Sequence, residues 1–454
     1  MIPRLVAGLQ AGFRQLTAAM RSQPGRSASW LMADKIVRLG GGAVLTIWIS
    51  RYLGPSAFGV FSFSMALALL FGGFGSMGLD TIAVRELVKS PANAAEILGT
   101  SLALRLLVGT VMIGVAFAAA YVLRPDDPLA QRMTAIIAAA TALAAFDVID
   151  DWFQSQVLSR PAAIGRTVAF AIAAALRVVL ILRRAPLEAF AWAWLAESAL
   201  AAVALSLSYR FSRGRLSLWR ARARRAVSLL RDSAPLLLSS VAILVYMRID
   251  QIMLGKMAGD AELGIYSAAV RLAELWYFVP AAIVASSLPG IIQARAAGEA
   301  QFLQRLQRLY STVAFVAYAF AIPLTLVATP LVRLLFGREY ERAGPMLAVL
   351  VWGGLFVSLG VARSAFLTAM NWTRTHLLTV ATGGALNVIL NLLLIPRWGG
   401  MGAVIASCIA YWWAAHGSCF VYPPLRQTGR MLTSAILLPR PGRLDQSPRQ
   451  LPGR

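Results

Sequence analysis

The sequence predicts an all-α polytopic membrane protein, with about twelve transmembrane helices in two six-helix lobes related by an internal pseudo-twofold repeat. Three observations carry this reading. Of the 454 residues, 58% are hydrophobic and only 14% charged, where a soluble domain carries about a quarter charged. Apolar runs near 20 residues, long enough to span a bilayer as helices, recur along the chain. Finally, Gly54-Pro55-Ser56-Ala57-Phe58-Gly59-Val60-Phe61-Ser62 returns as Gly259-Asp260-Ala261-Glu262-Leu263-Gly264-Ile265-Tyr266-Ser267. The offset is 205 residues, and at the same offset Leu67, Ala68 and Leu70 meet Leu272, Ala273 and Leu275. A repeated turn in a repeated apolar context points to duplication. Its glycines allow a tight reversal, and Phe61 and Tyr266 occupy positions suited to interfacial aromatic anchors.

The elements follow in order. Residues 1–29 carry Leu5, Leu9, Phe13, Leu16 and Met20 near helical spacing among arginines, a pattern shared by an amphipathic surface helix and a frayed tail. No cleavable signal peptide is expected, since no compact apolar core precedes a small-residue cleavage site. Apolar helices fall near 30–50, 58–79, 97–123, 133–153, 162–182 and 187–209, forming an N-lobe over 30–209. A basic linker, 210–233, leads to helices near 234–254, 264–288, 311–335, 343–369, 377–395 and 401–422, a C-lobe over 234–422. The Pro- and Arg-rich segment 423–454 is expected to be a disordered tail, its run Met431–Leu438 being too short to span.

The formal net charge of +23 reads as topology rather than as a nucleic-acid footprint. Most Lys and Arg fall on the side of both tails and of the 210–233 linker, which the positive-inside rule makes cytoplasmic. The linker suits anionic membrane lipid. An even number of helices per half leaves both halves in the same orientation, related by an axis along the membrane normal. The two cysteines, Cys408 and Cys419, are about 16 Å apart along one helix, too far for a disulfide. No metal or cofactor motif is present, and the external loops are too short to hold a catalytic domain.

Charges within the spans are the candidate functional residues, because a charge at the bilayer centre costs about 2.5–3.5 kcal/mol unless it is paired or wet. The first helix carries Asp34, Lys35 and Arg38; Asp34 and Arg38, one turn apart, can pair and leave Lys35 uncompensated. The seventh carries Arg248 and Asp250, the eighth Arg271 and Glu274. About the turn near residue 259 these four share a depth. A cationic cavity lined by Lys35, Arg38, Arg248 and Arg271 is one reading; ion pairs that only fix packing are the other. Glu197, isolated in the sixth helix, is a candidate proton relay, and with Asp34, Asp250 and Glu274 completes the acidic set available for ion coupling or pairing. Arg105, Arg177 and Arg363 lie nearer helix ends, where snorkelling suffices; Asp80, Asp147, Asp150 and Asp151 are expected to be solvated. Gly72, Gly73, Gly75 and Gly78 weaken the second helix where Pro280 and Pro289 weaken the eighth, suiting either hinge or close packing. Asn387 and Asn391 share a helix face, and His376 and His416 have no companion ligands.

Several stretches together resemble a known family. They are Arg51-Tyr52-Leu53-Gly54-Pro55 through Ser62, Gly78-Leu79-Asp80, Arg85-Glu86-Leu87, Leu335-Phe336-Gly337-Arg338-Glu339-Tyr340-Glu341-Arg342-Ala343, and Asn387 to Asn391. The last continues to Ile395-Pro396 and Gly399-Gly400-Met401-Gly402-Ala403. Over residues 30–422 the chain resembles polysaccharide-type flippases, of O-antigen or exopolysaccharide kind, in the multidrug/oligosaccharidyl-lipid/polysaccharide exporter superfamily. The resemblance implies two six-helix lobes about a central cationic cavity, with Lys35, Arg38 and Arg248 lining it by position. It implies a non-enzymatic, cofactor-free transporter of the bacterial inner membrane, with both termini cytoplasmic. Its substrate would be undecaprenyl-pyrophosphate-linked oligosaccharide, moved by alternating access, and other polysaccharide assembly proteins are possible partners. Alternatives are a drug/cation antiporter of the same superfamily, a membrane glycan polymerase or ligase, and a noncatalytic scaffold for an assembly complex.

Overall fold

The computed structural model describes residues 23–76, 78–212, 214–370 and 372–438. The expectation for residues 1–22 and the last residues of the tail lies outside these. Fifteen α-helices, with short 3₁₀ turns and one π turn, make up the described residues, and none of these forms a strand. In order the helices are α1 Gln23–Ser76, α2 Leu79–Lys89, α3 Ala94–Leu123, α4 Pro128–Leu143, α5 Val148–Ser155, α6 Ser159–Leu182, α7 Leu187–Phe211 and α8 Ala223–Met257. Then come α9 Asp260–Glu274, α10 Phe278–Ala297, α11 Glu299–Phe336, α12 Ala343–Ala369, α13 Thr373–Trp412, α14 Ser418–Val421 and α15 Arg426–Leu437.

Nine helical stretches among the described residues are long and apolar enough to cross a membrane. Two of them, Met32–Lys89 and Arg374–Val421, run 58 and 48 residues and are broken by left-handed glycines, Gly54 (φ 73) and Gly399 (φ 54). Counting each as two segments, and adding α8 with its charged Arg248 and Asp250, recovers the twelve expected passes. The burial pattern is that of a chain in lipid. In α3, Arg105 is 2% exposed while Leu107 is 64% and Val122 75% exposed, because hydrocarbon accepts the apolar side chains and rejects the charge.

The chain divides into two compact units. One comprises residues 1–52 and 64–241; the other comprises 53–63 and 242–454. The first repeat turn thus sits with the second unit, and the boundary falls inside α8 rather than in the linker. Part of that linker, from Ala223, is already helix.

In the first unit, small residues let helices approach closely. A Cβ on Gly41 would lie 2.9 Å from the Phe170 ring, and one on Gly72 would lie 2.7 Å from Thr141. Helix α4 starts at a cap that its sequence spells out: the Asp127 carboxylate accepts from Ala130 N at 2.9 Å, and Pro128 takes the first helical position, where its missing N–H costs nothing.

In the second unit the two repeat turns meet. Gly54 and Gly259 both adopt positive φ, 73° and 88°, and both open a helix. A Cβ on Gly59 would overlap the Asp260 carbonyl, and one on Gly264 would overlap the Pro55 carbonyl. Gly59 is equivalent to Gly264 and Pro55 to Asp260, so each contact is the other's image. Around this pair gather the other short stretches on which the resemblance rests. Phe58 packs edge-on against Tyr340 at 6.3 Å, and Glu262 pairs with Arg342 at 2.8 Å and accepts from Gly400 N at 2.9 Å. Burial pushes the Tyr340 phenol above its usual range, so it stays protonated. Phe61 and Tyr266 are 7% and 0% exposed, which corrects the expectation of interfacial anchors: their rings fill the protein interior, and Tyr266 donates to Asp250.

The tail expectation also needs correction. Residues Arg426–Leu437 form a helix whose Leu432 and Ala435 are fully buried. It is fastened to α11 by Gln307 Nε2 to Met431 O at 3.1 Å and Tyr318 OH to Ile436 O at 3.1 Å. The run too short to span is the apolar face of an amphipathic helix packed on the unit's core.

Candidate functional site

Each unit holds its own charged layer. In the first, Asp34 of α1 is 3% exposed. It accepts from Arg38 at 2.9 and 3.1 Å and from Thr167 of α6 at 3.1 Å. The expected Asp34–Arg38 pair is therefore formed. Lys35 is exposed and makes no ion pair among the described residues.

Deeper in that unit, four arginines and six carboxylates interlock. Arg105 lies 3.0 Å from Asp80 and 2.7 Å from Asp151. Arg166 lies 3.0 Å from both Asp147 and Asp150. Arg177 lies 2.5 Å from Glu197 and stacks over Trp194 at 5.2 Å. With Arg38–Asp34, two guanidiniums serve one acid each and two serve a pair each.

This corrects three readings. Glu197 is not isolated, because Arg177 of α6 reaches it. Arg105 and Arg177 do not snorkel; they are 2% and 4% exposed and turned inward. Asp150 and Asp151 are buried, 5% and 3% exposed, rather than solvated. The signal was present as Asp147, Asp150 and Asp151 at i, i+3 and i+4, one face of a helix, met by Arg105 of α3 and Arg166 of α6. A cavity of about 230 Å³, lined by Arg38, Asp147, Arg166, Phe170, Glu197 and Ser198 among others, opens onto this network. It has room for several waters but not for an oligosaccharide.

In the second unit, α8 and α9 divide the four charges expected to cluster. Arg248 pairs with Glu274 at 3.2 Å. Asp250, 1% exposed, instead takes neutral donors: the Tyr266 hydroxyl, Ser407 Oγ at 3.1 Å and Gln251 N at 2.7 Å. Ser407 in turn accepts from Asn387 Nδ2 at 3.4 Å, and Asn387 Oδ1 from Asn391 at 2.5 Å. The two asparagines therefore bond within the unit. Arg271 makes no ion pair among the described residues. Arg363, 1% exposed, is likewise not snorkelling; it donates to Ser418, Cys419 and Thr379 at 2.9–3.2 Å. Among the described residues no three His, Cys, Asp or Glu side chains group as a metal site.

What the arrangement offers chemically is buried guanidinium in two helical units. Lys35 and Arg271 are uncommitted, while Arg38 and Arg248 are each held by a single carboxylate that a more highly charged anion could replace.

The family signature described as polysaccharide biosynthesis protein matches residues 25–295, and that described as MatE matches residues 235–393. The chain is 29% identical over 176 residues to the probable flippase AglR of Haloferax volcanii. That match covers 36% of this chain and 35% of the relative, so the chain spans about a third of that relative's length. Among solved structures, the inward closed form of the lipid II flippase MurJ superposes with a TM-score of 0.70 at 14% identity, covering 90% of each chain. An inward-facing multidrug resistance MATE family transporter of the MOP superfamily superposes with a TM-score of 0.68 at 17% identity, covering 90% of this chain and 99% of the other. These relatives are flippases and transporters rather than enzymes. With the fold of MATE and MurJ proteins over nine-tenths of its length and the polysaccharide signature matching more than half of it, this chain belongs to the polysaccharide biosynthesis protein family.

Proposed function

We propose that this protein flips undecaprenyl-pyrophosphate-linked oligosaccharide from the inner to the outer leaflet of the bacterial inner membrane, for O-antigen or exopolysaccharide assembly, with both termini cytoplasmic. The observation that carries the reading is the polysaccharide biosynthesis match over residues 25–295 on a helical membrane fold that holds several arginines inside it. A sugar diphosphate cannot cross hydrocarbon unaided. Arginine forks and a lysine can replace its hydration with charge-assisted hydrogen bonds. In this proposal Lys35, Arg38, Arg248 and Arg271 meet the diphosphate. Asp34 and Glu274 hold Arg38 and Arg248 in place between cycles, and Asp250 and Glu197 keep the helices in register or take part in ion coupling. The two repeats rock against each other and expose the head group to each side in turn, while the polyprenyl chain stays in lipid.

The MatE match over 235–393 favours one second reading, an ion-coupled drug or cation antiporter. A cationic drug would meet an excess of basic candidates, which disfavours it.

The test uses cells lacking the protein, complemented with wild type or Arg248→Lys, with protein level and export measured together. Without the protein, lipid-linked oligosaccharide should accumulate on the inner leaflet. The Lys variant should insert normally yet export poorly, since a point charge lacks the planar fork. Outer-leaflet display in the deletion strain, with only polymerisation lost, would refute the flippase reading; normal export by Arg248→Lys would remove Arg248 from the site.

A further inference from the structure

The segment after α7 does not leave the first unit as a free linker. Gly214 N donates to Tyr209 O at 2.9 Å, and a Cβ on Gly214 would strike the Tyr209 ring, so only glycine lets the chain double back here. Trp219 then packs edge-on against Tyr209 at 5.4 Å and donates Nε1–H to its hydroxyl at 3.1 Å. Arg220 N donates to Ala95 O at 3.2 Å, and Arg222 N to Thr100 Oγ1 at 3.1 Å. Arg222 and Arg225 are engaged with Glu96 and Glu86. The strap is thus fixed at many points.

Between the strap and α7 lies a groove of about 1200 Å³. One wall is a single stripe of α7, Ala199, Ala202, Val203, Ser206 and Leu207, and Phe146 also lines the groove. Arg210, at the end of the stripe, and Arg215, on the strap, also line it. Both are exposed, and neither makes an ion pair among the described residues. From Ala199 to Arg210 the stripe runs about 16 Å, close to the roughly 15 Å depth of one hydrocarbon leaflet.

We propose that this groove binds an anionic phospholipid, one acyl chain along the α7 stripe and the phosphate between Arg210 and Arg215. The argument is charge complementarity. Arg222 and Arg225 of the strap are committed to acids, whereas Arg210 and Arg215 end an apolar slot of leaflet length. The lipid would fasten the strap to α7 at the membrane surface. The inference does not depend on the transported substrate.

The test is native mass spectrometry of the full-length protein, purified and equilibrated with equal amounts of phosphatidylglycerol and phosphatidylcholine. Wild type should retain phosphatidylglycerol preferentially. R210Q/R215Q should weaken that retention about 25-fold, at roughly fivefold per arginine near the surface. A199F, which narrows the slot but leaves both charges, should weaken it as well. R220Q/R224Q, which removes equal charge from the same strap outside the groove, should leave it unchanged. Undiminished retention by R210Q/R215Q would overturn the proposal, as would an equal loss in R220Q/R224Q. Retention of a polyprenyl phosphate in place of phosphatidylglycerol would overturn the phospholipid assignment.

Discussion

Replacing Gly59 and Gly264 by alanine, singly and together, tests whether the two repeat turns are pressed together through equivalent contacts within the second unit. At each site the added methyl would overlap a carbonyl of the opposite turn, and at residue 264 it would also lie 3.1 Å from Gly59 N. Backbone cannot rotate away as a side-chain tip can, so the helices must separate. Overpacking of this kind costs about 1–3 kcal/mol. Alanine in place of a helical glycine returns about 1 kcal/mol. Each single substitution should therefore destabilise by about 0–2 kcal/mol.

The double variant is the sharper case. One displacement relieves both clashes, so the overpacking cost arises once while the helix-propensity gain arises twice. The double should be more stable than the sum of the singles by about 1–3 kcal/mol, where independent sites add to within about 0.5 kcal/mol. Gly75 supplies the reference, since its added methyl would meet nothing nearer than Gly109 Cα at 3.9 Å; Gly75→Ala should be neutral or mildly stabilising. Unfolding of the purified variants in one detergent, followed by chemical denaturation, measures all four. Additivity of the two glycines within about 0.5 kcal/mol would refute the shared contact, and a cost at Gly75 equal to theirs would refute the steric origin.

Two further outcomes come from the charged layers and a third from the charge bias of the loops. Arg105→Leu should destabilise the protein by about 3–5 kcal/mol by leaving Asp80 and Asp151 unpaired, and Arg105→Leu/Asp151→Asn should recover part of it; denaturation midpoints decide. Arg177→Ala should lower the amount of folded protein more than Glu197→Gln, because the first strands a carboxylate while the second leaves a guanidinium that still stacks on Trp194; quantitative blotting of membranes with a monodispersity check reads this. A cysteine at position 218 should be labelled by an impermeant thiol reagent only after the membrane is opened, as the positive-inside orientation requires.

The helices, the duplication and the family were legible because they rest on patterns local in sequence. A bilayer demands about 20 apolar residues per pass, and left-handed turns favour glycine, so Gly54 and Gly259 mark equivalent points whatever surrounds them. What escaped was partnership. Depth alone assigned Arg105, Arg177 and Arg363 to snorkelling, yet depth says nothing about azimuth, and each turns inward to partners contributed by other helices. The same blind spot put Asp250 in a charge cluster with Arg248, when the two, spaced i and i+2, face away from each other on the helix and a tyrosine hydroxyl draws Asp250 into a separate buried chain.

The short stretches that carried the resemblance have a related lesson. Gly59, Gly264, Tyr340, Arg342 and Gly400 come together around the paired turns, where they close backbone against backbone. Their residue types follow from that packing: two glycines because carbonyls occupy the space of a Cβ, an arginine because Glu262 must be met at a helix start, a buried aromatic to fill against Phe58. Such residues identify the fold without naming its cargo. In the proposed reading the cargo is met elsewhere, with the uncommitted cations Lys35 and Arg271 among the groups that meet its diphosphate. Exchanging those two for neutral residues should therefore lower export while leaving the fold intact, whereas substitutions at the paired turns should act on stability first.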